Sequence, residues 1–338
     1  MLRGTCQPHE GLSGASGKAK DVMTDQAAGV PVSVEGALGL IGGTALVALR
    51  RVHRGSGLLL AKAEFLNPGG SVKDRPALAA VQAARAAGLL RPGGPVVEMT
   101  SGNMGAGLAV VCAALGHPLL VTMSAGNSPK RAEMLRGLGA EVVLVPQVDG
   151  EPGRVTGADV AAALEAAKAL AAERGAFYVD QFNNLACIEA HRSRTGDEIL
   201  QQTGGRLDAF VAMVGSGGTF IGVMRALKAH RLQIEGVAVE PLGAEILAGK
   251  PVVKARHLLQ GGGYGLVPAL WQSELMDRAL AVSDGEATEY RRRLAAEEGL
   301  YLGFSAAANV AAASRYLRER GAPAAVAVTI LCDNGLKY

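Results

Sequence analysis

Aromatic residues make up only 4% of this 338-residue chain, and a single tryptophan is among them. The net positive charge is equally small, +3, and no basic stripe interleaves with the aromatics. These absences exclude the electrostatic footprint and stacking platform of a nucleic-acid-binding protein. Cysteine is scarce as well: Cys6, Cys112, Cys187 and Cys332 stand far apart and form no C-x-x-C pair. That spacing excludes the usual zinc frameworks and suits a reducing compartment, so a cytoplasmic chain is expected. The histidines, among them His117, His191 and His257, are scattered without metal spacing, and no metal is expected. Long hydrophobic runs are missing too. The longest, Gly105 to Met123, is broken by Gly116-His117-Pro118 and reads as a helix followed by a strand, so no membrane span is expected.

What the chain does have is 49% apolar residues, 19% charged residues and 46 glycines, most of them clustered between apolar runs. That composition belongs to a well-buried globular enzyme. Residues 1–30 are rich in Gly, Ser, Ala and Lys, lack the apolar core of a secretory signal, and read as a disordered leader. Beyond them, short apolar runs alternate with helical stretches. Strands are expected at Leu58–Phe65, Pro95–Met99, Leu119–Met123, Glu141–Val145, Ala209–Val214, Gly236–Glu240 and Ala325–Leu331. Helices are expected at Asp74–Ala87, Met104–Leu115, Lys130–Leu138, Ala158–Glu173, Ile188–Gln202, Phe220–His230 and Ala306–Arg320. This alternation implies an α/β fold built on mainly parallel sheet covered on both faces. Glycine-rich loops around Gly102, Gly215 and Gly262 fall where strands end, which is where ligands collect in open α/β sheets.

Four segments carry the chemistry. The first is Asn67-Pro68-Gly69-Gly70-Ser71-Val72-Lys73-Asp74-Arg75, which follows a strand and opens a helix. Its glycines let backbone pass close to a flat ligand, and Lys73 sits at a helix amino end, where its pKa should fall. Such a lysine can form an imine and then act as a base. A surface lysine capping a loop is the plainer reading. Second, Thr100-Ser101-Gly102-Asn103-Met104-Gly105 offers hydroxyls, an amide and first-turn N–H groups to a carboxylate, or is simply an N-cap cluster. Third, Gly215-Ser216-Gly217-Gly218-Thr219 can converge its amides on a phosphate. It also admits a dinucleotide reading, with Glu240 as ribose ligand, although Phe220 occupies the third glycine position of that fingerprint. Fourth, Gly303-Phe304-Ser305-Ala306-Ala307 opens an Ala-rich helix, and taken alone Ser305 reads as its N-cap.

Taken together, these segments resemble the cysteine synthase and cystathionine β-synthase family of pyridoxal-phosphate enzymes (fold type II, tryptophan-synthase β-like) from about Ile41 to Tyr338. The resemblance implies two open, mainly parallel twisted sheets flanked by helices. It divides the chain into an N-terminal α/β domain over 61–184, with Lys73 and a mobile substrate-binding subdomain, and a C-terminal α/β domain formed by 31–60 plus 185–338. It implies pyridoxal 5'-phosphate as cofactor, bound through Lys73, Asn103, Gly215, Ser216, Gly217, Gly218, Thr219 and Ser305. Lys73 is then the catalytic residue. Thr100, Ser101, Gly102, Met104 and Gln181 would hold the substrate. Gln181 is carried over from Gln181-Phe182-Asn183-Asn184, and weaker likenesses lie at Gly42-Gly43-Thr44-Ala45-Leu46, Gln260–Gly265 and Cys332–Tyr338. Met104 replaces the usual threonine, and Leu185-Ala186-Cys187-Ile188 replaces the usual Pro-Ala-Asn-Pro.

The activity implied is β-replacement on an O-activated serine such as O-acetylserine, through an aminoacrylate, with sulfide or another nucleophile. A neutral Ser305 at the ring nitrogen favours prompt loss of a β-leaving group over transamination. The partners implied are a small amino-acid substrate, a nucleophile and a second copy of the chain. O-phosphoserine as donor stays open, with Arg256 and His257 placed to meet its phosphate. So does a cystathionine-type synthase making a specialised amino acid. From other classes, an NAD-dependent dehydrogenase and a non-catalytic binding protein remain as rivals.

Overall fold

Successive side chains of a strand leave by opposite faces, so a strand that is apolar at every position must be covered on both. The computed structural model, which describes residues 36–153, 155–254, 256–263 and 265–337 together with 23–24 and 31–32, shows this arrangement. In β9 (Ala209–Met213), Ala209 and Val211 point into one apolar cluster, while Phe210 and Ala212 point into another. Its parallel neighbours are β10 (Glu235–Pro241) on one side and β12 (Val326–Ile330) on the other. Outside these run β11 (Arg278–Val282) and β4 (Leu58–Lys62), both parallel, and the antiparallel edge strand β3 (Leu46–Ala48). The order of this six-stranded sheet is β11-β10-β9-β12-β4-β3. A second, all-parallel sheet has the order β7-β6-β5-β8. Its strands are β5 (Val96–Met99), β6 (Leu119–Ser124), β7 (Glu141–Val145) and β8 (Phe177–Tyr178). The fold is thus α/β with two mainly parallel sheets flanked by helices.

Helices α8 (Asp284–Glu298) and α9 (Phe304–Arg320) cover one face of the large sheet. The alanines of α9, from Ala306 to Ala313, are nearly all fully buried, and their small size lets the helix lie close to the strands. The other face carries α7 (Gly218–His230) and α6 (Asp197–Thr203). On the smaller sheet, α1 (Asp74–Ala86), α2 (Asn103–Leu115) and α3 (Pro129–Gly137) pack on one face, and α4 (Gly157–Arg174) on the other. Among the described residues, no helix is long and apolar enough to cross a membrane.

Several expectations are corrected. The strand drawn to Phe65 stops at Lys62, because Glu64 turns inward to meet buried partners and Glu64–Leu66 forms a 3-10 turn. The helix drawn from Ile188 starts as α5 (Leu185–Ala190), where Asn184 accepts a hydrogen bond from the Ala186 N–H, and it passes through a π-helical turn, His191–Gly196, into α6. Strands β3, β8 and β11 and helix α8 were not foreseen. In residues 1–36, β1 (Met23–Thr24) and β2 (Pro31–Val32) pair antiparallel. Apart from Met23–Thr24, the expected disordered leader over 1–30 lies outside the described residues.

Candidate active site

The four chemical segments all emerge from the carboxyl ends of parallel strands or lie beside those ends. The loop after β4 is held by Asn67. Its Oδ1 accepts from the Gly42 N–H (2.8 Å), and its Nδ2 donates to the carbonyls of Glu64 (2.8 Å) and Ser71 (3.1 Å). Gly70 adopts φ +72, and Lys73 then stands as the N-cap of α1. One residue inside that helix is Asp74, whose carboxylate receives the Gly69 N–H and whose pKa burial raises to about 6.

Beneath this loop lies a buried ionic cluster. Arg75, about 1% exposed, donates to Glu64 at 2.6 and 2.8 Å and to Glu198 at 2.7 and 2.8 Å. Lys62 reaches Glu198 at 2.7 Å, and Thr44 donates to Glu64 at 2.7 Å. Burial opposes ionisation of Glu198, but Arg75 and Lys62 outweigh it and hold the carboxyl at about 2. The Gly42-Gly43-Thr44 segment therefore has a structural task. A Cβ at Gly42 would stand 2.9 Å from the Arg75 guanidinium, and Gly43 donates its N–H to Glu198.

A hollow of about 600 Å³, open to solvent, is lined by Lys73, Asn103, Gly215, Ser216, Gly217, Thr219 and Ser305, with Asp333 and Asn309 at its wall. A smaller hollow of about 220 Å³ shares Lys73, Ser216 and Thr219, and adds Met104, Gln181, Cys187, His191 and Gly218. The structure thus gathers every predicted cofactor residue, together with Met104 and Gln181, around the Lys73 amine. Thr100, Ser101 and Gly102 line neither hollow. They form the turn just ahead of α2, where the Thr100 hydroxyl accepts from the Gly102 N–H (3.3 Å) and Ser101 accepts from Arg131 (3.2 Å). Arg131 also reaches Gln260 on the glycine-rich loop.

The loop Gly215–Thr219 begins at a position closed to any larger residue. A Cβ at Gly215 would lie 2.1 Å from the Gly261 carbonyl oxygen, and Gly217 takes φ +91. Gly217 caps α7 without any side-chain acceptor, so the first-turn N–H groups of that helix are left to a ligand. Ser305 is the second residue of α9, and Gly303 is the cap. The plain N-cap reading of Ser305 is therefore corrected: its hydroxyl faces the hollow, within 2.6 Å of where a Gly261 Cβ would stand. Glu240 is corrected as well. Both its oxygens are taken by backbone N–H groups, Leu247 at 2.7 Å and Ala248 at 3.0 Å, so it closes a turn and offers nothing to a ribose. Arg256 and His257 line neither hollow, and His257 Nε2 lies 3.1 Å from the Gly263 carbonyl oxygen.

Five further residues beside the hollows had no site role assigned from the sequence. His191 is fully buried with Nδ1 3.0 Å from Thr195 Oγ1 and Nε2 3.2 Å from Thr219 Oγ1. Burial and the nearby Arg75 and Lys73 charges hold its pKa well below the usual value, so the imidazole is neutral. Glu98, about 1% exposed, accepts from Gln181 Nε2 at 3.1 Å, and burial raises its pKa to about 8. Asp180, just before Gln181, takes the left-handed φ of 52, a backbone state that aims the next side chain. Asn309 staples β9 to β12: it accepts from the Met213 N–H (2.7 Å) and donates to the Ile330 carbonyl (2.9 Å). Asp333 accepts from Asn103 Nδ2 at 2.6 Å. Of these, only His191 carried a local signal, recurring with Thr195 at helical spacing.

Comparison with known proteins agrees with this geometry. A cysteine synthase of Staphylococcus aureus is 42% identical over 301 residues, covering 88% of this chain and 93% of that protein. The crystal structure of a hydrogen sulfide-producing enzyme from Fusobacterium nucleatum superposes with TM-score 0.83 at 32% identity, covering 90% of this chain and 98% of its own. An O-ureido-L-serine synthase structure superposes with TM-score 0.82 at 38% identity, covering 90% and 93%. The family model described as pyridoxal-phosphate dependent enzyme matches residues 37–333. The chain belongs to the pyridoxal-phosphate dependent enzymes, and pyridoxal 5'-phosphate is its cofactor.

Proposed function

We propose that the enzyme carries out β-replacement on an O-activated serine, with O-acetylserine as donor and sulfide as nucleophile. The observation that carries this reading is the convergence on one hollow of a primary amine, a glycine-lined helix start, an amide and a neutral hydroxyl. Those groups fit the cofactor's aldehyde, phosphate, ring oxygen and ring nitrogen in turn. When bound, pyridoxal 5'-phosphate supplies an electron sink for the substrate α-carbon. Lys73 is the amine that would hold it covalently, and as a free amine it would take the α-proton as general base. The Gly215–Thr219 amides and hydroxyls hold the phosphate. Ser305 accepts or donates at the ring nitrogen without imposing a charge, which favours loss of the β-substituent. Thr100 to Met104 and Gln181 orient the substrate carboxylate; at position 104 only the backbone N–H can serve, because the Met104 side chain lacks a hydroxyl.

The four-stranded sheet and its helices, within 61–184, form the part that closes over 37–60 plus 185–337 and excludes water. A homodimer working in the cytoplasm completes the reading. O-phosphoserine gains no support from Arg256 and His257, which stand outside both hollows.

The test combines absorbance and product analysis on the cofactor-loaded enzyme. O-acetylserine, O-phosphoserine and serine are each supplied with sulfide and with small oxygen and nitrogen nucleophiles. Cysteine formed from O-acetylserine, and lost in Lys73→Ala, is the expected result. Activity fully retained in Lys73→Ala would overturn the assignment, and turnover confined to another donor would overturn the choice of substrate.

A further inference from the structure

Lys337, from the far end of the described chain, bonds to a residue that lines the larger hollow, Asn103. The residues after β12 run alongside the Lys73 loop: Ser71 and Asp333 form an antiparallel bridge, and the Val72 N–H donates to the Cys332 carbonyl at 2.9 Å. This places the Lys337 side chain over Gly70, where a Cβ would stand only 3.3 Å from its Cε and 3.4 Å from its Nζ. The ammonium donates to the Gly69 carbonyl at 2.7 Å and to Asn103 Oδ1 at 2.9 Å. Asn103 Nδ2 in turn donates to Asp333 Oδ2 at 2.6 Å.

This arrangement fixes which way the Asn103 amide faces. Turning it over would set its NH2 against an ammonium and its oxygen against a carboxylate, two repulsive contacts in place of two charge-assisted bonds. With the oxygen taken by Lys337 and one N–H by Asp333, the group left for the hollow is the second N–H. A donor polarised by a neighbouring cation favours an acceptor that carries negative charge.

We infer that Lys337 is a positioning residue for the cofactor: through Asn103 it presents a single polarised donor to the ring hydroxyl oxygen and stabilises that oxygen in its deprotonated form. The inference rests on the cofactor assignment above. The other ionisable groups around Asn103 and Lys337 are Lys73, Asp74, Asp333 and the Cys332 thiol. A substitution at Lys337 alters none of them chemically.

The experiment is a pH titration of the visible absorbance of cofactor-loaded wild type, Lys337→Arg, Lys337→Gln and Lys337→Met. Cofactor content and thermal midpoint are measured on each sample. A wild-type enzyme without a cofactor band would defeat the cofactor assignment itself, and the variants would not enter. With the band present, the transition between protonated and deprotonated forms is expected to move up by about one pH unit in Lys337→Gln and Lys337→Met. In Lys337→Arg it should return to the wild-type position. Lys337→Gln keeps donors of nearly the right reach, so it serves where Lys337→Met fails to fold. A titration in the folded, loaded Gln or Met variant that superposes on wild type would overturn the inference and leave Lys337 as an anchor of the Asp333 segment.

Discussion

His191 Nε2 lies 3.2 Å from Thr219 Oγ1, so a buried imidazole on the π-helical turn sets the hydroxyl that closes the phosphate loop. Replacement by phenylalanine fills the volume and leaves Thr219 without that partner. The cofactor dissociation constant is expected to rise about tenfold, equivalent to about 1.4 kcal/mol, with secondary structure unchanged. Equilibrium titration of the apo-variant with pyridoxal phosphate measures it, and an unchanged constant would show that the phosphate loop is set without the imidazole.

Glu98 makes stability depend on pH in an unusual direction. Burial raises its pKa from 4.5 to about 8, so between those values the folded chain keeps a proton that the unfolded chain has released. Its contribution is therefore fully present below about 4.5 and is lost as pH rises toward about 8, after which it levels off. The thermal midpoint should fall between about pH 4.5 and pH 8, and Glu98→Gln should flatten that decline. Parallel curves for the variant and wild type would place the effect elsewhere.

Two glycines of the phosphate loop should respond differently to alanine. At Gly215 the added carbon would lie 2.1 Å from the Gly261 backbone oxygen, so one of the two loops must move. At Gly217 the nearest atom is 3.7 Å away, and only the positive φ is at stake, a cost of about 1 kcal/mol. Gly215→Ala is expected to abolish cofactor retention on gel filtration, while Gly217→Ala retains it with a modest loss of stability. Equal retention in both would refute this reading of the cradle.

Arg75 and Glu64 pair in full burial, and removing Arg75 would leave Glu64 without its cation while Glu198 keeps only Lys62. Arg75→Met is expected to lower unfolding free energy by about 3–5 kcal/mol in denaturant titrations. Arg75→Lys should recover only part of this, because one ammonium cannot replace a fork bonded to two carboxylates. Full recovery by lysine would show that the fork geometry is unimportant.

Much of the fold was legible because it is local. Alternating apolar runs placed β5, β6, β7, β9, β10 and β12 within a residue or two, and glycine after a strand marked the loops at Gly215 and Gly102. Helix α8 was missed because its sequence, DGEATEYRRRLAAEE, is dominated by charge and buries only Ala287 and Leu294. The two-residue β8 has too few positions to show a period. In the site, the motif residues Lys73, Asn103, Gly215–Thr219 and Ser305 line the two hollows, whereas Thr100, Ser101 and Gly102 line neither. What could not be read were pairings across distance: Asn103 with Asp333, Glu98 with Gln181, His191 with Thr219. Glu240 misled because a carboxylate after a strand looks alike whether it awaits a sugar or ties its own backbone.

The docking of the 332–337 segment on the Lys73 loop has a kinetic consequence. Gly69 and Lys337 are 268 positions apart, so their contact can form only after all of the chain between them has been made and brought together. Closures of such span are entropically costly and come late in folding. During synthesis the lysine loop would emerge early and wait, unclamped, while both sheets assemble around it. Capture of the cofactor is thereby deferred until the 332–337 segment has been made and docked. In refolding from denaturant, cofactor fluorescence should therefore appear after the bulk of the helical signal, and the chain escapes being trapped around its reactive ligand half-built.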